Sequence, residues 1–163
     1  AIAGWRGRLE GNVWFRAEKG TYFLARQGSL ASAHETRLLW EETAKSPASA
    51  LTTGGFRHGA QEIVEPGLRF GLWIDGKTRR NEDIALARDL RKLGARVMAI
   101  GQGVPADAGD LVFELPPVPP AWQFVTDIVP AQLAAEHLAG VRGVDCDNFR
   151  LGSHVVTSEG GLL

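Results

Sequence analysis

The stretch "RRNEDIALARDLRKLGARVMAIG", residues 79–101, decides the fold. Its first part, residues 79–94, ends in a glycine and predicts an amphipathic helix with a C-terminal cap. The second part, residues 95–101, is a short apolar run typical of a buried strand. A helix that leads directly into a buried strand is characteristic of α/β proteins with a parallel sheet. Apolar residues recur at helical spacing at Ile84, Ala87, Leu90 and Leu93.

The same alternation of strands and helices extends in both directions from this stretch. Further strands are predicted at residues 21–26, 48–53, 68–75 and 111–116. Further helices are predicted over residues 30–45 and from Trp122 through residue 143, with a restart or kink at Pro130 and a helical turn at residues 60–65. We therefore predict an α/β fold, with five parallel strands in a doubly wound, flavodoxin-like sheet and helices on both faces.

The composition indicates one globular domain without a strong net charge. The chain has 163 residues, of which 44% are hydrophobic and 23% are charged, enough to bury a substantial core. Eighteen basic and nineteen acidic residues give a net charge of −1, so no nucleic acid and no membrane is expected as a partner. Cys146 is the single cysteine and cannot form an internal disulfide. A reducing, cytoplasmic setting is therefore expected, and because no apolar run approaches the roughly 20 residues of a membrane span, a soluble protein is expected.

The first 20 residues are less regular than the rest of the chain. The sequence begins at Ala1 without an initiator methionine, so a fragment or a processed product is expected. We predict that residues 1–20 form a helical lead-in or a segment that contacts a partner. Trp5, Trp14 and Phe15 are the candidate anchors on a partner surface, and packing against the chain's own sheet is the alternative.

The predicted helix at residues 30–45 carries two glutamates on one face. Glu35 and Glu42 are seven residues apart, about two helical turns, and Leu39 lies between them. A carboxylate near an apolar residue at a helix end can have a raised pKa and act as a general base. A solvated carboxylate on the helix surface is the alternative.

The loop "GGFRHGAQE", residues 54–62, holds a second titratable candidate. His58 can titrate near neutral pH, and its neighbour Arg57 is a cation able to meet an anion. An ordinary loop histidine is the alternative. The spacing of the histidines and of Cys146 fits no metal-ligand pattern, so neither a metal nor another cofactor is predicted.

A glycine turn after the first strand is a weaker candidate for anion binding. In "RQGS", residues 26–29, Gly28 and Ser29 place backbone N–H groups at the start of the predicted helix, with Ser29 as the expected N-cap. The glycine spacing matches neither a dinucleotide fingerprint nor a P-loop. A nucleotide-binding flavodoxin-like domain is therefore disfavoured.

Three segments resemble, in order and spacing, the second half of the double sugar isomerase (SIS) proteins. They are "FLARQGSLASAHETRLLWEE", "TTGGFRHGAQEIVEPG" and "PPAWQFVTDIVPAQLAAEHLAGVRGVDCDNFRLGSHVVTSE". The group is similar to the isomerase part of glucosamine-6-phosphate synthase and to its amino-sugar deaminase and ketose/aldose isomerase relatives. The resemblance implies an SIS-type domain at residues 21–147 and a C-terminal tail, residues 148–163, that closes the active site.

The resemblance also implies roles for particular residues. Glu42, in "LLWEE", matches the glutamate that moves a proton between C1 and C2 of an open-chain sugar. His58 matches the histidine of the family's "KHGP" motif, which helps to open the sugar ring and reaches into the neighbouring subunit's site. His154, in "SHVVTSE", matches a tail lysine and is a candidate proton carrier. The expected substrate-binding residues are Gly28, Ser29, Glu35, Arg57 and Ser153.

The sequence departs from the family at two lysines and one loop. Leu39 stands where the family has the first lysine of "LKLKE", and His154 stands where it has the tail lysine. The "SxSGxT" loop that holds the sugar phosphate in the first half of these proteins does not occur in this sequence, which has "WIDGKT", residues 73–78, at the matching turn. Two alternatives remain. Either a first SIS half, on another polypeptide or segment, supplies the loop, or this half assembles with a second copy of itself and binds its ligand differently.

The resemblance implies a phosphosugar isomerase or an amino-sugar-phosphate deaminase that functions as a homodimer. The implied substrate is a hexose 6-phosphate such as fructose 6-phosphate or glucosamine 6-phosphate. A non-catalytic, regulatory module that binds a sugar phosphate is the alternative, and the two replaced lysines favour it.

Overall fold

A computed structural model describes residues 2–152 and residue 155 of the chain. Its five strands are β1 (Thr21–Ala25), β2 (Ala48–Thr52), β3 (Arg69–Trp73), β4 (Arg96–Gly101) and β5 (Leu111–Glu114). They form one sheet in the order β2-β1-β3-β4-β5, and every neighbouring pair is parallel. This is the doubly wound, flavodoxin-like order, so the predicted fold class is confirmed.

Helices cover both faces of the sheet. They are α1 (Ile2–Arg6), α2 (Ser29–Glu42), α3 (Thr53–Arg57), α4 (Arg80–Lys92), α5 (Gln123–Asp127) and α6 (Val129–Arg142). One hydrophobic core joins side chains of α1, α2 and α6 to one face, and a second core joins those of α3 and α4 to the other. Neighbouring side chains along a strand serve the two cores alternately, as Phe23 and Leu24 of β1 show.

The helix predicted from Trp122 through residue 143 is interrupted near Pro130, as expected. Helix α5 ends at Asp127, and α6 begins at Val129 with Pro130 in its first turn, where the missing N–H of proline is tolerated. Helix α6 ends at Gly143, whose φ of 64° is the left-handed conformation that closes many helices.

The aromatic residues of the first 20 positions pack against the chain itself. Trp5, Trp14 and Phe15 are all buried in the core that contains α2 and α6. The indole N–H of Trp14 donates to the backbone oxygen of Phe70 at 3.1 Å, and its ring meets that of Trp40 edge-on at 5.7 Å. Of the two roles predicted for these rings, the structure shows packing within the chain.

Two local predictions are wrong. Ser29 is not the N-cap of α2, because Gly28 holds that position without a side-chain cap and the Ser29 hydroxyl donates elsewhere. The loop predicted at residues 54–62 is partly helical, since α3 begins at Thr53. The Thr52 hydroxyl oxygen accepts from the Gly55 N–H at 2.9 Å and caps this short helix.

No helix in the described part of the chain combines the length and the apolar character that a membrane span requires.

Candidate functional site

Helix α2 runs from the carboxyl ends of the strands back to their amino ends. It begins after the carboxyl end of β1 and finishes before the start of β2, so Ser29 lies near the carboxyl ends of the strands and Glu42 near their amino ends. Fourteen helical residues at 1.5 Å each place these two residues about 20 Å apart. Each end of α2 lines a different pocket, with Glu42 at one and Gly28 and Ser29 at the other.

The pocket at the end of α2 is formed by the helix and by the C-terminal tail. It has a volume of about 370 Å³ and is lined by residues 38–47 in part and by residues 149–152. We call it the tail pocket. Glu42 lies in its wall, together with Leu38 and Lys45. Glu42, the predicted catalytic residue, therefore lines a cavity to which residues 149–152 contribute.

Lys45 ties the tail to α2. Its ammonium group donates to the backbone oxygens of Glu42 and of Asn148, the latter at 2.8 Å. Arg142 at the end of α6 in turn donates to the Lys45 backbone oxygen at 3.3 Å. Lys45 has a φ of 51°, which is uncommon for a residue with a side chain. This backbone conformation occurs in the turn that brings α2, α6 and the tail together.

A buried arginine contacts a residue of the tail pocket's lining. Arg69 of β3 is only 2% exposed and donates to the hydroxyls of Thr21 and Ser46 at 3.0 and 3.4 Å. Burial, and secondly the charge of Arg142, lowers its pKa to about 10. Within the described residues no carboxylate forms an ion pair with Arg69. Arg69 is outside the lining of the tail pocket and reaches it through Ser46, whereas Lys45, Glu41 and Glu42 are all in the lining.

The second pocket lies between β1 and β3, where the order of the strands in the sheet reverses. It has a volume of about 470 Å³ and adjoins the carboxyl ends of β1, β3 and β4. Connections leave the neighbouring strands β1 and β3 in opposite directions, which creates the crevice where α/β sheets commonly bind ligands. We call it the switch-point pocket. Gly28 and Ser29 line it, at the far end of α2 from Glu42.

A buried carboxylate forms part of the switch-point pocket. Asp127 is 1% exposed and accepts hydrogen bonds from the hydroxyls of Ser29 at 2.8 Å and Ser32 at 2.5 Å. Burial raises the pKa of Asp127, and these two hydrogen bonds partly oppose the rise. Asp127 is not among the site residues predicted from the sequence. Its signal is a lone acid in the apolar run "QFVTDIVPAQL", because acidic side chains are seldom buried without a role or a partner.

Arg57 and His58 lie near the carboxyl ends of the strands, whereas Glu42 lies near their amino ends. Both are exposed, and His58 ends α3, just beyond the carboxyl end of β2. Glu42 precedes the start of β2, and the length of that strand separates the two by roughly 15 Å. One chain therefore does not bring Glu42 and His58 together.

The remaining predicted residues are distributed along and beyond α2. Glu35 is exposed in the middle of the helix, away from the lining of both pockets. Ser153 and His154 lie outside the described residues. Among residues 2–152 and residue 155, no group of three or more histidine, cysteine, aspartate or glutamate side chains is arranged to hold a metal ion.

In its fold, this chain is similar to the SIS-type phosphosugar isomerase domains. The resemblance predicted from the sequence, to the C-terminal isomerase half of glucosamine-6-phosphate synthase, is confirmed by comparison with known proteins. The sequence and structural relatives include phosphosugar aminotransferases and deaminases. No family model matches the chain.

Three relatives illustrate the similarity. Glutamine–fructose-6-phosphate aminotransferase (isomerizing) of Leifsonia xyli is 27% identical over 153 residues, which cover 90% of this chain and 25% of that protein. The C-terminal domain of glucosamine-fructose-6-phosphate aminotransferase from Francisella tularensis has a TM-score of 0.78 at 20% identity, covering 90% of this chain and 42% of that one. Glucosamine-6-phosphate deaminase of Thermotoga maritima gives 0.71 at 22% identity, covering 88% and 41%. The chain thus spans about a quarter of its sequence relative and less than half of the structures.

Proposed function

We propose that this chain is the catalytic C-terminal SIS half of a phosphosugar isomerase or amino-sugar-phosphate deaminase. In this proposal Glu42 transfers a proton between C1 and C2 of an open-chain hexose 6-phosphate. The observation that carries the proposal is the tail pocket, in which residues 149–152 fold back beside Glu42. The resemblance of "LLWEE" to the family's catalytic motif supports the same residue.

The chemistry requires a base and a means of stabilising negative charge. The Glu42 carboxylate removes the proton from one carbon next to the carbonyl group, and the electron pair forms an enediol or, for an amino sugar, an enolamine. The same carboxyl then returns the proton to the adjacent carbon. The charges of Lys45 and Arg69 favour the negative charge that develops on the sugar oxygen. The tail limits the access of water to the intermediate.

His58 acts in the site of another subunit in this proposal. His58 is exposed beyond the carboxyl end of β2, whereas Glu42 precedes the start of that strand, and this separation supports a role outside its own chain. There the imidazole passes a proton between the ring oxygen and a hydroxyl as the sugar ring opens. Arg57 beside it provides positive charge for the phosphate. The partner is either a first SIS half with a phosphate loop or a second copy of this chain. The whole protein is a homodimer and acts in the cytoplasm.

The test is Glu42→Gln in the whole protein that contains this chain. Fructose 6-phosphate is incubated in deuterated water, and incorporation of deuterium at the reacting carbon is followed by NMR. We expect a loss of about 100- to 10,000-fold, the range for removal of a general base. Glu136→Gln is the matched control, because Glu136 is an exposed helical glutamate away from both pockets. Full exchange by the Glu42→Gln variant rules out the proposed base.

A non-catalytic sugar-phosphate-binding module is the second candidate. Leu39, one turn before Glu42, stands where the family has a lysine, and this replacement favours the candidate. It predicts that wild-type protein binds fructose 6-phosphate while incorporating no deuterium. It also predicts that Glu42→Gln leaves the exchange rate at the uncatalysed value of the wild type.

A further inference from the structure

The anion-binding groups around the switch-point pocket already hold the chain's own carboxylates. The Asp75 carboxylate follows β3 and accepts from three successive backbone N–H groups, those of Lys77, Thr78 and Arg79, at 2.9, 3.2 and 3.1 Å. The Thr78 hydroxyl donates to the same carboxylate at 2.9 Å. This is the arrangement in which a loop cradles a phosphate, with an internal anion in the phosphate's place.

The side chains of Arg26 and Ser29, two further donors at the pocket, are engaged in the same way. Arg26 at the end of β1 forms an ion pair with Asp83 at 2.9 Å, and Asp83 is itself 1% exposed. The second Asp83 oxygen accepts from the Asp75 N–H at 3.1 Å. At the start of α2, the hydroxyls of Ser29 and Ser32 both donate to Asp127. A phosphate would have to displace one of these carboxylates or lie beside them.

Besides the ammonium group of Lys77, the side-chain groups that stay available are suited to hydroxyls. The carboxamides of Gln27 and Gln123 line the pocket, and neither has a hydrogen-bond partner within residues 2–152 and residue 155. A carboxamide both donates and accepts, as a sugar hydroxyl does. The ring of Phe124 at the rim is 58% exposed and offers an apolar face for the C–H groups of a sugar.

We propose that the switch-point pocket binds an uncharged, hydroxyl-rich ligand of monosaccharide size that carries no phosphate. Its volume of about 470 Å³ lies within the range of small-molecule sites. The site is separate from the proposed catalytic site, because the length of α2 lies between the two. A phosphate is disfavoured because Asp75 already occupies the loop N–H groups that would hold it, and because Asp75 and Asp127 outnumber Lys77, the lining cation that forms no ion pair among the described residues.

Calorimetric titration of the protein with glucose, fructose and glucose 6-phosphate tests the proposal. The titrations use the Glu42→Gln background, so that turnover at the proposed catalytic site adds no heat. Gln123→Ala and Phe124→Ala are each expected to weaken glucose or fructose binding by about tenfold, the effect of one lost hydrogen-bonding or stacking partner. Both variants leave the glucose 6-phosphate Kd unchanged, and Glu136→Gln leaves all three unchanged.

Three results overturn the proposal. The first is no saturable binding of either glucose or fructose. The second is a Kd for these sugars that Gln123→Ala and Phe124→Ala leave unchanged. The third is an equal weakening of glucose 6-phosphate by the same variants. Because Phe124 is exposed, Phe124→Ala tests the site without disturbing the core.

Asp75→Ala provides the converse experiment. Removing the internal carboxylate frees the N–H groups of Lys77, Thr78 and Arg79, so inorganic phosphate is expected to gain one binding site per chain. Circular dichroism checks that the sheet and helices remain. An unchanged phosphate stoichiometry in a folded Asp75→Ala variant contradicts the inference that Asp75 excludes phosphate from this pocket.

Discussion

The ammonium group of Lys45 and the backbone oxygen of Asn148 are 2.8 Å apart, which joins the turn after α2 to the tail. The two residues are 103 positions apart in sequence. Because Phe149 and Leu151 of the adjoining tail line the tail pocket, this hydrogen bond helps to keep the pocket's wall in place, together with the ammonium group's position 6.0 Å from the centroid of the Phe149 ring. The tail is thereby positioned from the same turn that follows Glu42.

Replacing Lys45 should loosen the tail. Lys45→Met keeps most of the side chain but removes the donor to Asn148, and we expect trypsin to cleave after Arg150 about fivefold faster. That factor corresponds to roughly 1 kcal/mol, the net contribution of one hydrogen bond. Lys92→Met is the matched control, because Lys92 is an exposed lysine in an ion pair with Asp89. Equal cleavage rates in the two variants contradict the role assigned to Lys45. Mass spectrometry of timed digests gives the rates.

Mixing two inactive variants should restore part of the activity if His58 works in trans. In hybrids of Glu42→Gln with His58→Ala, one site has both lesions and the other has neither. We expect the mixed sample to recover about a quarter of wild-type activity when subunits exchange randomly, since half of the dimers are hybrids with one intact site each. Deuterium exchange on fructose 6-phosphate is the measurement. Recovery that stays at the level of the separate variants contradicts the arrangement in trans.

Asp127 should make the protein more stable as the pH falls. Burial raises the pKa of the folded carboxyl above that of the unfolded chain, so the folded state binds more protons between these two values. The unfolding free energy of wild type should therefore rise relative to Asp127→Asn as the pH falls from about 7 toward about 4. Urea titrations at several pH values measure the difference.

The exposed Asp89→Asn variant is the control for that titration, because the fully buried position is what distinguishes Asp127. A wild-type advantage that increases toward neutral pH has the opposite sign and contradicts a raised pKa.

Trp14 should contribute strongly to stability although it lies in the irregular N-terminal segment. Its side chain is 0% exposed, contacts Trp40, and donates to Phe70. We expect Trp14→Ala to lower the unfolding free energy by about 3–5 kcal/mol, as other large core truncations do. Val13→Ala, at the partly exposed neighbouring position, should change it by less than about 0.5 kcal/mol. Similar losses in both variants would show that the segment lacks a specific core contact.

The strand order was predictable because the alternation of buried strands and amphipathic helices permits few topologies. The helix that ends at Gly94 and the interruption at Pro130 follow from local chemistry that the sequence displays directly. Helix α3 was not predictable from propensity, since two of its five residues are glycine. Its cap by Thr52 and the burial of Phe56 stabilise a helix that the composition disfavours.

The candidate sites were only partly predictable because their contacts join distant parts of the chain. Glu42 and His58 could be named from motifs, but only the topology places them at opposite ends of the strands. Asp127 is bound by two serines 95 and 98 positions away, and no local pattern indicates that pairing. Ser29 was assigned to the helix cap because serine is common there, whereas its hydroxyl donates to the buried Asp127 instead.

Helix α2 also limits the kinds of change that the chain can accept. Each residue turns the helix by about 100°, so inserting or deleting one residue between Ser29 and Glu42 would rotate one of them away from its pocket. Substitutions on the exposed face, by contrast, leave both ends in phase. The number of residues in the helix therefore matters more than the identity of its surface residues.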